Sequence, residues 1–279
     1  MEKFKLWESP ENREAEIDYY PSAYKIARSA AIIFPGGGYE AVSVHEGLCY
    51  AEFFNTFGMD AFVVKYRVAP NRFPLPLLDA RRAVKFVRAN ADKFGLDKEK
   101  IVVVGSSAGG HLAALLSTYT KPLEGDIADE IGKESFLPNG QVLCYPVISS
   151  DEKTGHKESY RNLLGEKYSE RDKYSPETLV TGDTPKAFLW HTSTDNVVSV
   201  TNSYLYAEAL HKCGVPCELH VFPLGAHGSG VAPHIPYVAT WIDLLRKWLI
   251  LNEFKSFAQG VGGLHGERGR RRRNRSDRG

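Results

Sequence analysis

Long apolar runs are missing from this chain: no stretch approaches the ~18 residues that a bilayer-crossing helix needs. An excess of one charge is missing too, with 35 lysines and arginines against 34 aspartates and glutamates among 279 residues. The basic groups that exist are concentrated at the end. The segment RGRRRRNRSDRG (268–279) holds seven arginines, so the remainder of the chain is mildly acidic. Such a body offers no nucleic-acid footprint, and no nucleic-acid partner is expected of it. Cysteine is scarce at four residues. Cys213 and Cys217 have no second Cys/His pair at zinc-like spacing, and Cys49 and Cys144 lie in apolar runs. All four are read as buried thiols, with no metal, cofactor or disulfide framework expected. The charged start, MEKFKLWESPENREAEID, lacks the apolar segment of a signal peptide, so a cytoplasmic location is expected.

What is present is alternation. Short β-branched or aromatic runs stand at 30–34, 61–66, 100–104, 141–146, 186–191 and 217–222. Helical patterns lie near 46–57, 76–94, 108–119, 199–213 and 235–254. Several strands are apolar throughout, as parallel strands covered on both faces are. Alternation on this scale predicts an α/β fold: one doubly wound, mostly parallel sheet flanked by helices, in a single domain over 1–258. A strand near 15–20 would add an antiparallel edge. Two polar, loop-like regions, 121–138 and a cap-like insertion at about 148–184, are long enough to line or cover a pocket. Beyond residue 258 the Gly/Arg-rich tail (259–279) has no core-forming residues and is expected to be disordered.

One junction carries chemistry. The apolar run ending at Val104 meets Gly105-Ser-Ser107-Ala-Gly109, and a helical pattern follows at once. A strand-to-helix turn this sharp strains the serine backbone and needs small residues two before and two after it. The helix start beneath supplies free N–H groups for a developing oxyanion. Serine needs a base, and the base needs an orienting carboxylate, which in this arrangement follow the serine in chain order. Among nine histidines, His227 in FPLGAHGSG lies just past a strand, at the sheet edge that Ser107 occupies. Asp195, in HTSTDNVVSV, follows the preceding strand; Asp151, one strand earlier, is the alternative. The triple glycine in FPGGGYE ends the strand at 30–34, and Gly37 and Gly38 together with Ala108 are the expected oxyanion donors.

Taken together these residues resemble the α/β-hydrolase superfamily, in the carbohydrate (acetyl xylan/feruloyl) esterase branch related to the hormone-sensitive-lipase type. The motifs are PGGGYEAVSVHEG (35–47), FVVKYRVAP (62–70), PLLDARRAVKFVR (76–88), VVGSSAGGHLAA (103–114), WHTSTDNVVSV (190–200) and ELHVFPLGAHGSG (218–230). Pro35 stands where many lipase-type relatives carry histidine. The resemblance implies ester hydrolysis through an acyl-enzyme on Ser107. The substrate implied is a small-molecule or oligosaccharide ester, such as acetylated xylan fragments. A feruloyl esterase or an arylformamidase would use the same triad. Tyr39, beside the glycines, and Tyr160, Tyr168 and Tyr174 in the insertion are candidate surfaces for stacking a sugar. Oligomeric state is not legible.

Overall fold

Valine, isoleucine and phenylalanine dominate the inner strands because those strands are covered on both faces. The structure is a computed structural model that describes residues 1–8, 15–24 and 28–255; the arginine-rich tail lies outside the described residues. Eight strands form one sheet in the order β1-β2-β4-β3-β5-β6-β7-β8. The strands β3 (Ala30–Phe34), β4 (Asp60–Lys65), β5 (Ile101–Ser106), β6 (Gly140–Cys144), β7 (Ala187–Thr192) and β8 (Cys217–Phe222) run parallel. The expected antiparallel strand is present as β2 (Glu16–Tyr20). A further edge strand, β1 (Glu2–Lys5), pairs with it and was not expected, because its EKFK sequence is mostly charged and exposed.

Side chains alternate across the sheet. Ile32, Phe34, Val103, Leu143 and Leu189 face one apolar layer with α2 (Leu75–Ala89), α4 (Ser107–Thr118) and α6 (Thr201–Lys212). Ile33, Val104, Val142, Phe188 and Trp190 face the other, with α1 (His45–Thr56) and α8 (Trp241–Leu251). Each of two expected long helices is interrupted. Asn90 separates α2 from a single turn, α3 (Ala91–Phe94), and Thr240 separates α7 (Pro236–Ala239) from α8.

The chain order places the site. From β3 the chain moves to β4 on one side and then crosses to β5 on the other. Connections therefore diverge above the carboxyl ends of β3 and β5, the crevice where doubly wound sheets bind ligands.

The two polar regions have different fates. Residues 121–138 fold back on α2: Arg82 holds Asp129 through two bonds of 2.6 Å, Lys85 reaches Asp126 at 2.8 Å, and Arg88 caps the Leu137 carbonyl. The 148–184 insertion contains a helix, α5 (Lys157–Leu164), followed by 3₁₀ turns over Gly165–Tyr174. The cysteines also differ from expectation. Cys144 is buried, but Cys49 and Cys213 are exposed, and all four are free. Cys49 sits on the outer face of α1, where the helical period turns it away from the core.

Asp79 on α2 is fully buried and accepts four bonds, from Trp7 Nε1 (2.7 Å) and from the backbone N–H, Nε and Nη2 of Arg67 (2.9, 2.9 and 2.7 Å). It ties α2, the end of β4 and the N-terminal segment together. Removing one member of such a buried pair costs about 3–5 kcal/mol. Asp79→Ala is accordingly expected to lower the unfolding free energy by about that amount, measured by urea titration at fixed m-value.

Candidate active site

The parallel register brings the strand ends to one edge: Phe34 pairs with Gly105, Ser106 with Cys144, Cys144 with Trp190, and Thr192, two residues further on, with Phe222. At the end of β5 the chain reverses into α4 within one residue, and Ser107 takes the left-handed backbone with φ of 53°. The flanking glycines are sterically required. A Cβ on Gly105 would lie 2.2 Å from the Gly109 carbonyl oxygen, and one on Gly109 would lie 2.0 Å from that of Phe34. The Val147 N–H holds the Ser107 carbonyl at 3.0 Å. Such over-determination is what keeps a non-glycine residue in this conformation.

Ser107 is 8% exposed, and its Oγ lies 2.8 Å from His227 Nε2. His227 Nδ1 in turn donates to Asp195 Oδ2 at 2.7 Å. The structure thus brings together the three residues expected from the sequence. It does not bring Asp151 among them: that side chain is exposed and accepts bonds from the Lys153 and Thr154 N–H groups of its own turn.

Asp195 is more heavily bonded than the sequence suggested. Its Oδ1 accepts from the N–H groups of Val197 and Val198, both at 2.9 Å. His191, at the end of β7 and fully buried, approaches Oδ2 at 3.3 Å through Nε2. That nitrogen also meets the Val198 carbonyl at 3.0 Å, and Nδ1 meets Ser203 Oγ at 2.8 Å. Both partners of Nε2 are acceptors, so Nε2 carries the proton and Nδ1 accepts from Ser203. Burial pushes the Asp195 carboxyl up. Donors from His191, His227 and the Val198 N–H outweigh that and hold it well below the usual carboxylate range. His191 was not among the residues singled out from the sequence; its spacing of four from Asp195 was the available signal.

On the opposite side, Gly37 and Gly38 adopt φ of 124° and 64°. Among the described residues their N–H groups have no hydrogen-bond acceptor, whereas the Gly36 N–H is engaged by Glu46 at 2.7 Å. Ala108 is in the first turn of α4, where an N–H has no intrahelical acceptor. The expected oxyanion donors are therefore unspent, on two elements that meet beside the serine: a Cβ on Gly36, the residue before them, would lie 3.0 Å from Ser107 Cβ. The loop is held from outside by Tyr66, whose hydroxyl donates to the Pro35 carbonyl (2.6 Å), and by Asn162 of α5, whose amide donates to the Gly38 carbonyl (3.0 Å).

The aromatic expectations need correction. Tyr39 is 1% exposed, and its hydroxyl is taken by His111 Nδ1 at 2.8 Å, so its ring offers no face to a sugar. Burial pushes the His111 imidazole down to about 4, against the opposing pull of the Tyr174 carbonyl bonded to Nε2. Tyr160 and Tyr174 are buried in the same cluster, and Tyr160 donates to the Ile148 carbonyl at 2.6 Å. Tyr168 is half-buried between the guanidinium groups of Arg161 and Arg171. Large apolar rings in a polar-looking segment were pulled inward, where they cement the insertion to α4.

A base at hydrogen-bond distance from a strained serine, a carboxylate fixing that base, and unspent donors opposite can perform acyl transfer. Comparison with known proteins decides the family, since the model of the family BD-FAE matches residues 17–210. The chain belongs to the BD-FAE family. Among solved structures it is similar to the acetyl ester-xyloside bifunctional hydrolase from Caldicellulosiruptor lactoaceticus. The two share 39% identity, the TM-score is 0.85, and the match covers 91% of this chain and 97% of that one. Among curated proteins it is 38% identical over 241 residues to endo-1,4-beta-xylanase B of Butyrivibrio fibrisolvens, covering 81% of this chain and 38% of that protein. It is also 33% identical over 227 residues to the acetylxylan esterase of Xylanibacter ruminicola, covering 79% of this chain and 45% of that protein. The BD-FAE chain therefore spans less than half the length of these two curated relatives. Its fold is the α/β-hydrolase fold, and among the described residues no helix is long and apolar enough to cross a membrane.

The depressed Asp195 carboxyl makes a stability prediction for this BD-FAE member. A group whose acidity is greater in the folded state contributes stability above its unfolded pKa, which for aspartate is 3.8, and that contribution is lost as pH falls toward the folded value. The wild type should exceed Asp195→Asn in unfolding free energy at pH 7. The margin should narrow as pH drops below about 4, as followed by denaturant titration across pH; a margin that stays constant with pH contradicts the assignment.

Proposed function

We propose that this protein is a serine esterase that removes small acyl groups, acetyl foremost, from carbohydrate such as xylan-derived oligosaccharides. The observation that carries the reading is the 2.8 Å contact of His227 Nε2 with Ser107 Oγ, on a serine held in a strained turn and backed by Asp195. Support for the substrate class comes from the relatives, one an acetylxylan esterase and one an acetyl ester-xyloside hydrolase.

In the proposed mechanism His227 takes the Ser107 proton as Oγ attacks the ester carbonyl carbon. The N–H groups of Gly37, Gly38 and Ala108 receive the negative charge that develops on the carbonyl oxygen. Asp195 stabilises the resulting imidazolium and holds the ring so that Nε2, not Nδ1, faces the serine. Collapse of the tetrahedral intermediate breaks the bond to the sugar oxygen, which leaves with the proton from Nε2. Water then gives its proton to His227 and attacks the acyl-serine; collapse returns the proton to Ser107 and releases the acid.

The test is acid release from acetylated xylo-oligosaccharides, feruloylated arabinoxylan fragments and N-formylkynurenine, by wild type and Ser107→Ala in parallel. Acetate release is expected from the first substrate, with kcat lowered by about 10³-fold or more in the variant. Activity confined to the ferulate or formamide substrate would keep the serine chemistry and overturn the acetyl assignment. Equal rates for wild type and variant on all three would overturn the esterase reading itself.

A further inference from the structure

A buried carboxylate outside the serine–histidine–aspartate set touches both sides of the site. Glu46, in the first turn of α1, is 3% exposed. Its Oε2 accepts the Gly36 N–H at 2.7 Å, and its Oε1 accepts the Tyr145 hydroxyl at 2.6 Å. Tyr145 stands immediately after β6 in a left-handed backbone, φ 37°, although it is neither glycine nor asparagine. Its hydroxyl oxygen accepts the Gly230 N–H at 3.0 Å. Its ring meets the His227 ring at 5.1 Å and 71°, and is backed by Trp190 at 5.0 Å and 88°. Tyr50 lies 3.5 Å from that hydroxyl and accepts from Ser106 Oγ at 3.0 Å, which connects the same network to the residue before the nucleophile.

The donor and acceptor count fixes the direction of the protons that meet Glu46 and the Tyr145 hydroxyl from the backbone. Gly230 and Gly36 can only donate through their N–H groups. Tyr145 has one proton, and it points to Glu46. Glu46 must therefore present two acceptors at once, which a carboxylate does and an amide does not. With the Gly36 N–H bound inward to Glu46, the next two N–H groups of the loop remain for the site. With Gly230 bound to Tyr145, the loop carrying His227 is fixed against the same carboxylate. Strained tyrosine backbone at this point is consistent with a side chain held by its partners on several sides.

We propose that Glu46 and Tyr145 are positioning residues for the reaction, a buried brace that sets the spacing between the oxyanion donors and the His227 imidazole. The inference rests on the esterase reading above and extends it to residues that act through others, Glu46 through the Gly36 N–H and Tyr145 through the His227 ring and its loop. A small misplacement of catalytic groups costs about 10²-fold in rate, so the brace acts on kcat while leaving ground-state binding alone.

The experiment is a double-mutant cycle of Glu46→Gln and Tyr145→Phe. It is read as kcat and KM for p-nitrophenyl acetate and as the rate of Ser107 phosphonylation by a fluorophosphonate, with the thermal midpoint of each variant recorded. Glu46→Gln is expected to lower kcat and the phosphonylation rate by about 10- to 100-fold, with KM within about threefold. Tyr145→Phe, which keeps the ring, should do the same to a smaller degree. The double variant should be no worse than the poorer single one, because deleting the Tyr145 proton removes the demand for a second acceptor. Independent, multiplying effects would overturn the brace, as would losses that follow thermal midpoint alone or that fall on KM. A wild type inert to both ester and phosphonate overturns the esterase reading and this inference with it. A reactive wild type matched by both single variants overturns this inference only.

Discussion

The closest backbone approach in the site is the constraint from which the rest follows. The first turn of α4 lies against the end of β3 so tightly that a single methyl group on Gly109 would meet the Phe34 carbonyl oxygen at 2.0 Å. This contact puts the glycine-rich loop after β3 and the helix start after β5 into one shared space. Free N–H groups on two elements distant in the sequence are thereby brought to one end of the sheet, the arrangement on which the proposed oxyanion site depends. A wider helix–strand spacing would leave each set half-solvated, and an oxyanion between them would be poorly held.

Buried carboxylates organise what surrounds that contact. Asp79 fastens α2, Asp195 fixes the histidine, and Glu46 joins the two sides of the crevice; each has a donor on both of its oxygens. A buried anion is tolerated only with such donors. The consequence is rigidity: each of these groups can occupy one arrangement, because any other strands a charge. The neutral His111 plays a comparable part beneath the insertion, accepting from Tyr39 and donating to the Tyr174 carbonyl.

Most of the fold was legible because parallel strands covered on both faces carry apolar runs, as in AAIIF of β3, IVVV of β5, VLC of β6 and AFLW of β7. The charged β1 did not, since an exposed edge strand carries no such pattern. The Ser107 turn and His227 were legible through small residues whose spacing has a steric cause. Asp195 was separable from Asp151 only by which strand end each followed. What stayed hidden were roles defined by three-dimensional neighbours. Glu46 shows nothing locally that separates a buried, bonded group from an ordinary one on a helix, and His191 shows only its spacing of four from Asp195. Tyr160 and Tyr174 of the insertion misled for the opposite reason, since a polar segment suggested exposure while their rings had gone to the core.

The bond from Asn162 to the Gly38 carbonyl has a bearing on how chains of this fold diversify. Segments inserted above a sheet are commonly regarded as exchangeable parts that alter selectivity while the machinery below stays constant. Here the insertion is fastened to the machinery itself, through an amide on α5 that steadies the glycine loop. Grafting a foreign segment over residues 148–184 would therefore change the speed of the chemistry together with its choice of substrate, unless the graft brought its own amide to the position of Asn162.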